Sequence, residues 1–345
     1  MISNTKSILI VPAIALWAVS GGPAWAHHVS VSGPSNQAGP ITTITAATPE
    51  QGTLSIGTDF YIEDYDAFRD AQLLDFAEMD LDGVHNTDAA YVTSLNVEYG
   101  LLDRLSVSLT VPFFIRTGIR EAEHHEDDGA AASAHPEIEQ LGSSTGIGDL
   151  QLGAKYAVLD RNADGVGLAL LAGLSIPTGN ADEDTNDGER FETEFQPGSG
   201  SWDPRIGLAI GKGFGPVSLD ASVLYTLRTE GSQDTNLGDH LAFNAGLSWR
   251  IGKGPHIHAD GTFERHQALD LIVEVNGEWE ERERVGAVRD VHSGGTQIFL
   301  APGLRYSSAH GWAIYSSLGI PVHEDLNGIQ NDTDIRFKLG VALSL

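Results

Sequence analysis

The residues through which this chain could do chemistry are its thirteen histidines and its large surplus of carboxylates. His27-His28 and His124-His125 are adjacent pairs, and neighbouring imidazoles could hold a transition-metal ion weakly. His256 and His258 stand two apart beside Asp260. On a strand they would point the same way and could share one ion if a neighbour supplied a third ligand. Three acidic runs, DAFRDAQLLDFAEMDLDG (66–83), EAEHHEDDG (121–129) and NADEDTNDGERFETE (180–194), could bind Ca²⁺ or Mg²⁺ through oxygen ligands. The plainer reading of such runs is a solvated acidic rim. Asp182, Asp184 and Asn186 copy the opening of a calcium loop, but Asp187 occupies the glycine position and Thr193 the closing glutamate position. The absence of cysteine excludes disulfides, thiolate metal sites and cysteine nucleophiles.

One further motif invites chemistry. The stretch TGIGDLQLGAKYAVL (145–159) opens like a glycine-rich phosphate turn. A dinucleotide fingerprint needs a helix after the glycines, whereas period-two alternation follows Gly148. The glycines therefore lead into a strand.

That period of two dominates the chain. In LSVSLTVPFFIR (105–116), Leu105, Val107, Leu109, Val111, Phe113 and Ile115 share one face, opposite Ser106, Ser108, Thr110 and Arg116. Such alternation marks strands with one apolar and one polar face. Twelve segments carry it, near 53–63, 89–99, 105–116, 147–159, 166–177, 204–213, 217–229, 240–251, 256–266, 295–306, 311–321 and 334–345. Each is close to the ~9–11 residues a tilted strand needs to cross a bilayer. Tight turns (GLLDR, DRNADG, GFGP, GKGP, SSAHG) alternate with long acidic loops, as in outer-membrane barrels. The fold class expected is all-β: one transmembrane antiparallel up-and-down barrel of twelve strands, with short periplasmic turns and long extracellular loops.

Charge decides which face meets lipid. The polar set holds Asp59, Glu98, Arg116, Asp149, Gln151, Lys155, Arg205, Asp220, Arg228, Arg250, Asp260, Glu264, Arg305, Arg336 and Lys338, whereas the apolar set holds almost no ionisable residue. A lipid-facing Arg or Lys at the midplane would cost about 2–4 kcal/mol, so the charged face must line the lumen. A soluble sandwich also alternates, but would hide the apolar face and wet the charged one. Aromatic residues at the strand ends (Tyr99, Tyr156, Trp249 and Trp312 near the short turns; Phe60, Tyr91, Phe113 and Tyr225 toward the loops) suit two interfacial girdles. Lumen charges of both signs could brace the wall as ion pairs or set selectivity.

The N-terminus reads differently. Lys6, the apolar run ILIVPAIALWAV and the small-residue site Ala24-Trp25-Ala26 describe a secretory signal over 1–26. Residues 27–52 are then an N-terminal periplasmic or luminal segment, a partial plug, and 53–345 the barrel. A formal charge of −28 argues against nucleic acid as a partner, since phosphate binding needs basic patches.

The segments GIGDLQLGAKY (146–156), SIPTG (175–179), QPGSGSWDP (196–204) and SLDASVLYTL (218–227) resemble those of the outer-membrane transporters named for the meta-pathway of phenol degradation, distant relatives of the long-chain fatty-acid channels. The resemblance implies a barrel that passes small hydrophobic or aromatic solutes across the outer membrane of a Gram-negative cell. Outer-membrane lipid, lipopolysaccharide and the barrel-assembly machinery would be its partners, with no resident cofactor and no enzymatic activity. The competing expectation is a non-conducting barrel whose acidic loops bind divalent cations. A hydrolase would have to be built from loops, because no histidine falls on the lipid face of the strands assigned above. Two departures from the family stand out: the chain ends in Leu345 rather than an aromatic residue, and 27–52 is too short for a full hatch.

Overall fold

The computed structural model describes residues 39–79, 81, 84–124, 136–160, 165–252, 256–257, 263–264 and 266–345. The alternating segments form a closed antiparallel barrel of twelve strands. They are β1 (Leu54–Tyr65), β2 (Ala89–Leu102), β3 (Leu105–His124), β4 in two pieces (Pro136–Ile147 and Leu150–Leu159), β5 (Gly167–Ile176) and β6 (Asp203–Phe214). The second half comprises β7 (Val217–Thr226), β8 (His240–Gly252), β9 (Ala268–Glu280), β10 (Gly295–Ser307), β11 (Trp312–Leu326) and β12 (Thr333–Ser344). Each strand pairs with its sequence neighbours, and β12 returns to β1 in the register Asp59↔Gly340. Closure satisfies every strand edge inside the wall, as a hydrocarbon environment demands.

Side-chain direction follows the alternation. Leu208, Ile210, Leu219, Leu247, Trp249 and Val273 stand exposed on the outside, while Asp59, Asp220, Arg250, Asp270 and Arg305 are buried inside. This is a lipid-facing exterior around a polar interior. One short α-helix, α1 (Asp70–Glu78), lies in the β1–β2 loop, and among the described residues no helix is long and apolar enough to cross a membrane.

The wall departs from expectation at its ninth strand. The spacing predicts a strand over 256–266, reached through a tight turn at GKGP. The structure instead runs β9 over Ala268–Glu280, and the described residues before it, His256–Ile257 and Phe263–Glu264, pair with each other outside the barrel sheet. The physical reason is visible in LDLIVEVNGEWE: Leu269, Val273 and Val275 face out, while Asp270, Glu274, Glu278 and Glu280 are buried inside. A carboxylate-rich segment looks like loop until its inward residues meet the arginines of the lumen. Glu264 therefore belongs to that separate pairing and not to a wall strand, which corrects its expected lumen position. Asp260, His258 and His125 lie outside the described residues. His124 ends β3, its backbone opposite Pro136.

Two other boundaries moved. β3 extends to His124 and pairs with Pro136–Ile147, so 117–124 and 136–146, expected as loop, are paired strand. The fourth strand is broken at Gly148-Asp149, where the Gly148 N–H bonds to Pro112 O at 2.9 Å. A Cβ on Gly148 would sit 2.3 Å from the Phe114 ring, and one on Gly179 would sit 2.7 Å from the backbone of both Gly148 and Gly198. Glycine at these positions lets the β5–β6 loop fold in against the broken strand.

Candidate functional site in the lumen

The site is built by inward side chains from strands all round the wall. Arg250 Nε and Nη2 donate to the two Asp270 oxygens at 2.7 Å each, a bidentate pair with both side chains almost wholly buried. Arg336 donates to Glu63 Oε1 at 2.8 Å and Gln297 Oε1 at 3.0 Å, and also contacts Glu278. Lys155 Nζ lies 3.3 Å from Glu98, which also accepts from Ser106 Oγ at 2.7 Å. Arg205 donates to Gln151 Oε1 at 2.8 Å, and Arg228 pairs with Glu280. Asp59 accepts from Asn96 Nδ2 at 2.9 Å and from Tyr315 Oη at 2.5 Å; Asp220 is held by Ser218. Lys338 is buried on the inner face of β12. Charge-assisted, bidentate contacts of this kind fix geometry as well as contribute energy. Many of the charges that alternation places inside are thus linked to one another across the lumen, with β9 carboxylates whose sequence reads as loop among the partners, whereas the buried Lys338 ammonium has no hydrogen-bond partner among the described residues.

Residues 39–48 run inside this network. Ile41, Thr42 and Thr43 direct their backbone N–H groups at the Glu274 carboxylate, at 3.1, 3.0 and 2.7 Å, and Thr43 Oγ1 adds a fourth bond at 2.7 Å. Arg305 donates to Gly39 O at 2.9 Å and to Pro40 O, and Ser222 Oγ accepts from the Ile44 N–H at 3.1 Å. Ile41 packs with Ile272, Tyr315 and Ala342; Ile44 and Ala46 pack with Ala169, Leu171, Ala209 and Leu224. Toward the short-turn end, Thr48 Oγ1 donates to Asp103 O at 3.2 Å. The signal for this docking was faint: a short apolar-threonine run, Ile41-Thr42-Thr43-Ile44, ahead of the first strand.

Above the segment, at the long-loop end, lies a cavity of about 320 Å³, lined by Tyr65, Phe114, Phe195, Arg116, Arg205 and Arg228 among others. Arg116 donates to Phe195 O and Gln196 O at 3.1 Å each and lies 5.3 Å from the Phe114 ring. Asp149 faces the same cavity and anchors the β5–β6 loop, accepting from Gly179 N at 2.9 Å, Ser199 N at 2.8 Å and Ser199 Oγ at 2.6 Å.

Acidic groups crowd the rim around His85. Burial works against a charge on His85, but hydrogen bonds to Glu121 and Glu194 and the nearby Glu192 outweigh it and hold the imidazole pKa well above its ordinary value. Burial, reinforced by Glu194, Glu192 and Asp290, pushes Glu283 up to about 9. His85 emerged from no sequence motif, because its carboxylates arrive from other loops.

The barrel is similar to a solved outer membrane channel from Pseudomonas putida F1, with 16% identity and a TM-score of 0.54, covering 87% of this chain and 97% of that one. It is more distantly similar to the NanC porin (10% identity, TM-score 0.40, 85% and 100% covered) and to the CymD monoaromatic hydrocarbon channel (10% identity, TM-score 0.40, 86% and 89% covered). At these identities the likeness is one of fold. Residues 70–320 match the family model described as "Putative MetA-pathway of phenol degradation", which covers well over half of the sequence, and the chain belongs to that family.

Proposed function

We propose that this protein is an outer-membrane channel for small hydrophobic or aromatic solutes, exported by a cleaved signal over residues 1–26. The observation that carries the reading is the pairing of an aromatic- and arginine-lined cavity of about 320 Å³ at the outer mouth with an N-terminal segment docked in the lumen beneath it. Phe114, Phe195 and Tyr65 offer ring faces to an aromatic solute, and Arg116, Arg205 and Arg228 offer cations to its polar substituents. The family's description supports the same substrate class. Residues 39–48 act as a plug, so passage follows its displacement or a path around it. The barrel reading makes transport, rather than catalysis, the activity to measure.

Planar-bilayer recording of the purified barrel tests this, with and without residues 27–52. Truncation is expected to raise conductance and to speed uptake of a small aromatic solute into proteoliposomes. A truncated, folded barrel that neither conducts nor admits the solute would sink the channel reading and leave the cation-binding alternative.

A further inference from the structure

Three loops from distant parts of the chain converge over the lumen. His85 comes from the β1–β2 loop, Glu192 and Glu194 from the β5–β6 loop, and Glu283 from the β9–β10 loop. His85 Nδ1 lies 3.5 Å from Glu194 Oε1, and Nε2 lies 3.8 Å from Glu192 Oε2. One ligand atom from each of these three residues falls within 4.8 Å of the others. Donors bound to one ion at about 2.0–2.2 Å must lie within roughly that spread of each other.

Glu283 is the independent observation. The residue is 7% exposed and lines the same cavity as His85 and Glu194; its carboxylate makes no hydrogen bond or close ion pair among the described residues, and Arg228 attracts it only from a distance. A buried carboxylate without a partner is costly unless a cation or a proton neutralises it. Glu121 supplies the remaining element. Its Oε2 lies 2.8 Å from His85 Nε2 and takes that ring N–H, which turns Nδ1 toward Glu194. A carboxylate behind the imidazole is how proteins commonly orient a metal-ligating histidine.

We propose that His85, Glu192 and Glu194 form a divalent metal-ion site at the outer mouth, with Glu121 positioning the His85 ring and the Glu283 carboxylate adding negative charge to the same cavity. One imidazole among carboxylates suits a first-row ion such as Zn²⁺, whereas Ca²⁺ favours an all-oxygen shell. The ion replaces repulsion among the three carboxylates with attraction and ties the three loops together above the cavity. The site is separate from the histidine pairs His27-His28, His124-His125 and His256/His258, and it stands whether or not the barrel conducts.

Isothermal titration with ZnCl₂ tests it, on metal-free folded protein in which those six histidines are replaced by alanine. One saturable Zn²⁺ site is expected, with clearly weaker binding of Ca²⁺ and Mg²⁺. His85→Asn and Glu283→Gln should each lower the affinity at least about tenfold, and Glu121→Gln by about 10–100-fold. Glu192 is exposed, so Glu192→Gln should give a similar loss without disturbing packing. Heat-modifiable gel mobility verifies that each barrel is folded. Absence of saturable binding up to about 1 mM Zn²⁺, a standard free energy of only about −4 kcal/mol, overturns the proposal. So does unchanged affinity in His85→Asn together with Glu192→Gln.

Discussion

Asp149 shows what a single inward carboxylate does in this wall. It follows the two glycines that resemble a phosphate turn, yet its three hydrogen bonds all go to the β5–β6 loop. Replacing it with alanine strands two backbone N–H groups and a hydroxyl, at about 1–3 kcal/mol for each group left buried. Asp149→Ala is therefore expected to release residues 177–202, seen as faster amide exchange at Gly179 and Ser199 and a larger single-channel conductance. Asp270 makes a different prediction. Asp270→Ala leaves Arg250 buried without its partner, which should lower the unfolding free energy in detergent by about 3–5 kcal/mol. Replacing Arg250 and Asp270 together by methionine and leucine should recover most of that loss. Alternation made the direction of Arg250 legible, because a strand turns every second residue the same way. It left the partner illegible, since cross-strand neighbours depend on register across a turn.

At the scale of elements, the failures of sequence reading have one cause. β9 is hidden because Asp270, Glu278 and Glu280 look like loop residues until the facing arginines are known, Glu274 until the docked residues 41–43 are, and Asn276-Gly277 adds a false turn signal. The paired extensions of β3 and β4 are hidden for the same reason, being rich in glutamate. A strand whose inner residues are small or apolar, such as β5, is legible close to its true bounds, and so is β12, whose inner Arg336 and Lys338 alternate strictly with Ile335, Phe337 and Leu339. The loops themselves should respond to pH. His85 is raised from 6.5, so its share of stability is present below that value and is lost as pH rises through the raised one. Glu283 is raised from 4.5 to about 9, so its burial costs nothing in acid and costs most above 9. Both signs agree: amide exchange in the metal-free mouth loops should quicken, beyond the intrinsic chemical rate, between pH 6.5 and about 9. Glu283→Gln should slow it at pH 8.

For the whole molecule, the apolar exterior and the charged interior are two readings of the same alternation. Leu208 stands exposed near the middle of β6, paired with Leu170 and Val223. Leu208→Arg is expected to lower folding free energy in lipid by about 2–4 kcal/mol, measured by urea unfolding in vesicles, with a much smaller effect in loop positions. The N-terminal segment adds a matter of timing. Its anchors, Ser222, Glu274 and Arg305, belong to β7, β9 and β10, so the part of the chain made first docks onto parts made much later. Its seat exists only once the wall has formed, and the wall closes through β1 and β12 without it. Occupant and seat are thus separable: a synthetic peptide of residues 39–48, added to the truncated barrel from the short-turn side, should reoccupy the lumen and lower its current in proportion to peptide concentration.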